Sequence, residues 1–98
     1  MKKFKTNGIS YYVFDATAIA ACDNENEDAR QDVLLVVSTN GTETDQQVVF
    51  GHDMPETEDD FNDICEDAFA WEIADDDVRC PELGDGNRPW ERYVWSVE

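Results

Sequence analysis

"DVLLVVSTNGTETDQQVVF", residues 32–50, contains the clearest local signal of structure in this chain. Two runs rich in β-branched residues flank Asn40 and Gly41, a dipeptide that favours the positive φ angles of a type I′ turn. The pattern predicts a β-hairpin with a two-residue loop, in which Thr39 pairs with Thr42. The first run is apolar throughout, which is typical of a strand in the middle of a sheet.

The segments around this hairpin predict the other elements. Residues 8–21 alternate between two sets of side chains, which predicts a long strand with Tyr12 and Phe14 on one face and Tyr11 and Val13 on the other. Alternation also predicts a final strand at the C-terminal end, over residues 90–97.

A helix is predicted over residues 57–74. Thr57 is a suitable N-cap, three acids follow it where the helix dipole favours them, and apolar residues recur at helical spacing from Phe61 to Ile73. The order of elements is then β-β-β-α-β. We expect an α+β fold in a single domain over residues 1–98, with a small antiparallel sheet of about four strands and one amphipathic helix packed on one face.

The charge of the chain is its most unusual property. The sequence has 24 acidic and 7 basic residues, a formal net charge of −17. Solubility of a small domain needs a magnitude of only about 2–8. Nucleic acid and anionic membranes are therefore expected to be poor partners, and a basic protein surface a good one.

The acids concentrate between Asp53 and Asp77, where twelve of them occur without a single Lys or Arg. A charge run is usually only a solvated surface, but such surfaces normally intersperse Lys with Glu. Here Asp63 has like charges four residues away on both sides, and three aspartates follow the predicted helix end, where the dipole repels each by roughly 0.3–1 kcal/mol. These unfavourable terms predict that the acids serve a partner.

Helix geometry favours one kind of partner. Side chains four residues apart on a helix lie about 5–6 Å apart, and duplex DNA carries a charge every ~3.4 Å along each strand. A row of carboxylates can therefore imitate a row of phosphates and occupy the basic groove of a nucleic-acid-binding protein. The predicted partner-binding residues are Glu58, Asp59, Asp63, Glu66, Asp67, Asp75, Asp76 and Asp77, with Asp23, Glu25, Glu27 and Asp28 extending the surface.

Other uses of these residues are less favoured. A calcium-binding loop starting at Asp23 lacks the required Gly and Glu, so we expect no metal, and no cofactor motif occurs. His52 beside Asp53 could be a general base with its orienting acid, although a surface histidine is the more common interpretation, and we expect no enzymatic activity. Interleaved aromatic residues could anchor a partner, but burial in the core is the more common role for most of them: Trp71, Trp90, Tyr93 and Trp95.

Three cysteines without zinc-like spacing predict free thiols in a reducing cytoplasm. The segment that ends in "IAAC", residues 19–22, resembles a lipoprotein cleavage box. However, the polar residues Asn7, Ser10 and Asp15 interrupt the apolar run that a secretory signal needs. We therefore expect a cytoplasmic protein, either a monomer or a homodimer.

In size, charge and its acidic tracts at 23–28 and 53–77, the chain resembles small, phage-encoded DNA-mimic proteins, a class that includes anti-restriction and anti-CRISPR proteins. The resemblance implies a stoichiometric inhibitor of a host defence or DNA-processing enzyme, such as a nuclease, a restriction enzyme or a CRISPR effector. It also implies action in the host cytoplasm. The alternative is an acidic cytosolic protein of a salt-loving organism, or another acidic interaction module without an inhibitory role.

Overall fold

The computed structural model describes residues 1–19, 30–66, 71–73, 78–84 and 89–97, and it has the predicted α+β fold. The elements in chain order are β1 (Lys2–Thr6), β2 (Ile9–Ala18), β3 (Gln31–Thr39), β4 (Thr44–Phe50), α1 (Glu58–Glu66), β5 (Trp71–Ile73), a 3-10 turn (Pro81–Leu83) and α2 (Pro89–Val97). The strands form one antiparallel sheet in the order β1-β2-β3-β4-β5, so the predicted central position of β3 is confirmed.

The central hairpin has a longer loop than predicted. Thr39 pairs with Thr44 instead of Thr42, which leaves a four-residue loop over residues 40–43. The Asn40 side chain explains the difference, because its Oδ1 accepts hydrogen bonds from the backbone N–H groups of Thr42 and Glu43, both at 3.0 Å. The pairing is displaced by two residues, so every side chain keeps its predicted face.

A two-residue Asn-Gly hairpin does occur, but it joins β1 to β2, at the same end of the strands as the 40–43 loop. Asn7 and Gly8 have φ angles of 52° and 80°, as a type I′ turn requires, and Thr6 pairs with Ile9 across the turn. The lysine-rich segment before this turn is therefore an additional strand, β1, which the sequence analysis did not predict.

Both predictions for the second half of the chain need correction. The helix predicted to reach residue 74 ends at Glu66, and Trp71–Ile73 is instead strand β5, paired with residues 47–49 of β4. The predicted final strand is helix α2. Pro89 occupies its first position, where the fixed φ angle and missing N–H suit a helix, and the buried Trp90 and Val94 are four residues apart.

The sheet separates two hydrophobic cores, each covered by a helix. The side of the sheet under α1, called the α1 face, contributes Val13, Leu34, Val36 and Val49, which pack with Phe61 and Ile64. The α2 face contributes Tyr12, Phe14, Ala16, Ala18, Val33, Leu35, Val37 and Val48, which pack with Val78, Cys80, Trp90 and Val94. The predicted division of β2 is confirmed, and a second helix packs in addition to the one expected. No helix in the described part of the chain is long and apolar enough to cross a membrane.

Candidate interaction surface

Helix α1 begins at the predicted N-cap. Thr57 Oγ1 accepts a hydrogen bond of 3.2 Å from the backbone N–H of Asp60, and the Thr57 carbonyl accepts one of 3.1 Å from Phe61 N–H. The Asp60 carboxylate in turn accepts a 3.4 Å hydrogen bond from Glu56 N–H. The first contact satisfies a donor that the helix start leaves without an intrahelical partner, the second is the first helical backbone bond, and together with the third they fix where α1 begins.

Two buried side chains fix how α1 is rotated. Phe61 and Ile64 are 1% and 4% exposed. The Phe61 ring stacks on Phe4 of β1 at 4.9 Å between centroids, and it lies 5.1 Å from the Tyr11 ring of β2. Because this aromatic cluster holds the apolar side against the sheet, the remaining sides of the short helix face solvent.

The outward side of α1 consists of carboxylates. At about 3.6 residues per turn, Asp59, Asp63 and Glu66 fall within an arc of roughly 60° opposite the buried side. Glu58 and Asp60 flank this arc, and all five acids are exposed. Within the described ranges, none of the five has an ion-pair partner, and α1 itself contains no basic residue. Among the described residues, the surface of α1 therefore presents carboxylates that form no ion pair.

The sheet extends this negative surface. Asp15 lies two residues after Val13, and Asp32 lies two residues before Leu34. Asp45 pairs with Ser38, which lies two residues after Val36. Side chains two apart on a strand share a face, so all three aspartates lie on the α1 face, and all three are exposed. We define the acidic surface as the α1 acids (Glu58, Asp59, Asp60, Asp63 and Glu66) together with Asp15, Asp32 and Asp45.

Basic residues lie mainly elsewhere. Lys3 and Lys5 alternate with Phe4 and therefore lie on the α2 face, where Lys3 Nζ is 5.2 Å from the centroid of the Tyr12 ring. Arg92 is exposed on α2. Two described bases lie on the α1 face. Lys2 shares a face with Phe4, and Arg30 Nη1 donates to Thr17 Oγ1 at 3.3 Å, on the face of Asp15. The eight acids of the acidic surface outnumber these two bases, so the charge of the described residues is still asymmetric across the sheet.

A cleft of about 360 Å³ adjoins the acidic surface. It lies between the end of β2, the start of β3 and the turn after β4. Its lining residues are Asp15, Ala16, Asp32, Val33, Leu34, His52, Asp53 and Met54. Among the described residues, no group of three or more His, Cys, Asp or Glu side chains is placed to hold a metal ion.

The predicted partner-binding residues divide into two groups. Glu58, Asp59, Asp63 and Glu66 lie together on α1 and are exposed. Eight others lie outside the described residues: Asp23, Glu25, Glu27, Asp28, Asp67, Asp75, Asp76 and Asp77. The argument from the helix dipole at residues 75–77 was wrong, because α1 ends at Glu66.

The sequence analysis missed the contribution of the sheet to the acidic surface. Alternation in β2 already placed Asp15 on one face with Tyr11 and Val13, so the signal for this residue was present. Asp32 and Asp45 needed the observed strand pairing.

The aromatic residues and the thiols have different environments. Trp90 is buried, Tyr93 is half-buried and Trp95 is 44% exposed, so Trp95 is the most accessible of these three. Cys65 is exposed on α1, although partial burial raises the pKa of its thiol. Cys80 is buried, and neither cysteine forms a disulfide.

No known protein family, curated protein or solved structure matches this chain.

Proposed function

We propose that this protein is a DNA mimic that binds the basic nucleic-acid-binding groove of a host defence or DNA-processing enzyme and inhibits it stoichiometrically. The observation that carries the proposal is the outward side of α1, where Asp59, Asp63 and Glu66 project together from a helix that contains no base. The protein would then need no catalytic group of its own, because occupation of the groove is sufficient to exclude nucleic acid.

The charge density of α1 is in the range of DNA. Nine residues at about 1.5 Å each make a helix of about 13.5 Å, so its five acids supply about one charge per 2.7 Å. Duplex DNA carries about one per 1.7 Å of axis when both strands are counted and one per 3.4 Å for each strand. A groove lined by Lys and Arg would therefore meet a similar linear charge on this helix.

The distribution of charge supports a defined docking direction. The acidic surface lies on the α1 face, whereas Lys3, Lys5 and Arg92 lie on β1 and α2. A basic partner would attract the first surface and repel the second, which orients the approaching molecule before contact. Evenly distributed acids would give solubility without this orientation.

The alternative, an acidic protein adapted to high salt, gains support from acids on other surfaces. Glu43 in the hairpin loop and Glu82 in the 3-10 turn are both exposed outside the acidic surface. General hydration needs acids everywhere, whereas mimicry needs them on the docking surface. Variants that remove equal charge from the two locations therefore distinguish the two functions.

The proposed experiment is a competition assay with duplex DNA. Basic nucleases, restriction enzymes and CRISPR effectors are bound to fluorescent DNA, and this protein is added while anisotropy is followed. We expect it to displace DNA from at least one of them, with affinity falling as salt rises. The D59N/D63N variant should bind about tenfold more weakly, because two contacts of roughly 0.5–1 kcal/mol each are removed.

The control is the E43Q/E82Q variant, which loses the same formal charge at two acids outside α1, one of which, Glu82, pairs with the N-terminal ammonium at 3.4 Å. It should bind within about twofold of the unchanged protein, because long-range attraction alone changes little at physiological salt. If both variants lose the same affinity, binding depends on net charge and not on the position of the acids. If the protein displaces DNA from none of the enzymes tested, mimicry is rejected.

A further inference from the structure

We infer that the 360 Å³ cleft receives an arginine side chain of the partner. This inference rests on the proposed function and adds a specific contact to it. The α1 acids can attract any basic surface, whereas a concave site can select one side chain by shape.

The position of the cleft makes it part of the same docking surface. Asp15 and Asp32 line it and also belong to the acidic surface by strand register. Met54 lines it as well and packs against the core beneath α1. A partner that covers α1 would therefore also cover the mouth of this cleft.

The lining has the chemistry of an amphipathic cation site. Four of the eight lining residues are apolar and four are polar. Leu34 is 2% exposed and belongs to the core, while Asp15, Asp32 and Asp53 are exposed. Long cationic side chains bury an apolar stem and keep their charged end near polar groups, so a mixed lining suits them. Met54 is unbranched and can adjust to the stem.

The lining acids favour a guanidinium as the occupant. No group of three candidate ligands among the described residues is placed to hold a metal ion. Three carboxylates line the cleft, from Asp15, Asp32 and Asp53. A guanidinium distributes five N–H donors over a plane and can donate to more than one carboxylate at once, whereas the ammonium of lysine concentrates its charge at one point.

The test uses a single blocked amino acid as the probe. Nitrogen-15 correlation spectra of the intact protein are recorded during titration with N-acetyl-arginine methylamide and, separately, with the lysine analogue. We expect saturable shifts centred on the amides of Asp15, Asp32 and Asp53, with the lysine analogue binding more weakly. The D15N/D32N variant should lose about fivefold or more in affinity, and D53N offers a second, independent variant.

The control is D59N/D63N, which lies on α1 outside the cleft lining. It should bind the arginine probe as the unchanged protein does, while losing the competition with DNA. Shifts spread evenly over α1, equal binding of the lysine analogue, or full affinity in D15N/D32N would overturn the arginine site. If only the arginine site is incorrect, the protein still displaces DNA but does not bind the arginine probe as expected. If only the proposed mimicry is incorrect, the arginine titration succeeds but no enzyme releases its DNA.

Discussion

At the scale of single residues, the surroundings of Cys80 determine the ionisation of its thiol. Arg79 is its neighbour in sequence, and a positive charge close to a thiol lowers its pKa. However, Arg79 and Thr17 exchange backbone hydrogen bonds of 2.8 and 2.9 Å, which holds this segment against β2. Cys80 is 3% exposed, and its Sγ donates to the Asp15 carbonyl at 3.5 Å. Burial, reinforced by the Glu82 carboxylate, raises the pKa of the Cys80 thiol to about 11.

This raised pKa predicts a loss of stability in alkali. Unfolded Cys80 ionises near its ordinary pKa of 9.0, whereas the folded thiol stays protonated up to about 11. The contribution of the Cys80 thiol to the free energy of unfolding is therefore complete below pH 9. As pH rises to 11, this free energy falls by roughly 2–3 kcal/mol. Urea unfolding at several pH values should show the decline. The C80A variant, which cannot ionise there, should show a shallower decline, and identical slopes would contradict the assignment.

At the scale of elements, the loop of the central hairpin depends on one side chain. Asn40 Oδ1 accepts hydrogen bonds from Thr42 N–H, Thr42 Oγ1 and Glu43 N–H, at 3.0, 2.8 and 3.0 Å. Gly41 has a φ angle of 98°, which an L side chain rarely adopts. The loop thus combines an Asx-type acceptor with a residue that tolerates positive φ, and this combination sets the strand pairing.

We expect Asn40→Ala to destabilise the fold by about 1–2 kcal/mol, because three hydrogen-bond donors lose their acceptor in a partly solvated loop. Asn40→Asp keeps an acceptor oxygen and should cost less than half as much. Thermal and urea unfolding of the two variants measure the difference. Equal destabilisation would mean that the acceptor does not determine the loop.

Local patterns predicted which faces the strands bury but not every element. The alternation from Tyr11 to Phe14 is a property of the strand itself, so the two faces of β2 followed directly from sequence. The length of a hairpin loop depends on its hydrogen bonds, which the Asn-Gly dipeptide does not determine by itself. Asn7-Gly8 forms a two-residue loop, whereas Asn40-Gly41 lies in a four-residue loop. The C-terminal segment fits both periods, since Trp90 and Val94 suit a helix while alternate residues suit a strand. Tertiary packing decides such cases.

The same limit applies to the candidate site. The α1 acids were predictable because helical spacing placed Asp59 and Asp63 on one side. The cleft was not, because it joins residues from β2, β3 and the turn after β4 that are far apart in sequence. His52 and Asp53 were noted as neighbours, but only the fold places them beside Asp15 and Asp32.

At the scale of the whole molecule, the net charge of −17 opposes compaction. Two like charges about 5.5 Å apart, the usual Cβ spacing of helix positions four residues apart such as Asp59 and Asp63, repel each other by roughly 0.8 kcal/mol in water of low ionic strength. Salt shortens the range of this repulsion to about 10 Å at 0.1 M and about 3 Å at 1 M. The folded state should therefore gain stability from moderate salt.

We expect the melting temperature to rise by about 4–8 °C between roughly 10 and 150 mM NaCl, which corresponds to about 1 kcal/mol for a domain of this size. The rise should become shallower above 150 mM, because repulsion between charges farther apart than about 8 Å is then largely screened, while close pairs such as Asp59 and Asp63 are still being screened toward 1 M. The D59N/D63N variant should melt higher at low salt and respond less. Unfolding at low salt, followed by an equally steep rise in stability into molar KCl, would instead support adaptation to a salt-loving cell.

The paired arrangement of helices around one sheet has an evolutionary consequence. Residues packed beneath α1 and those packed beneath α2 form separate clusters, divided by the backbone of the strands. Substitutions on one side of the sheet can consequently change its surface while the core on the other side keeps its packing. If the α1 face binds a partner as proposed, that face can therefore change sequence with the partner at little cost to the core beneath α2.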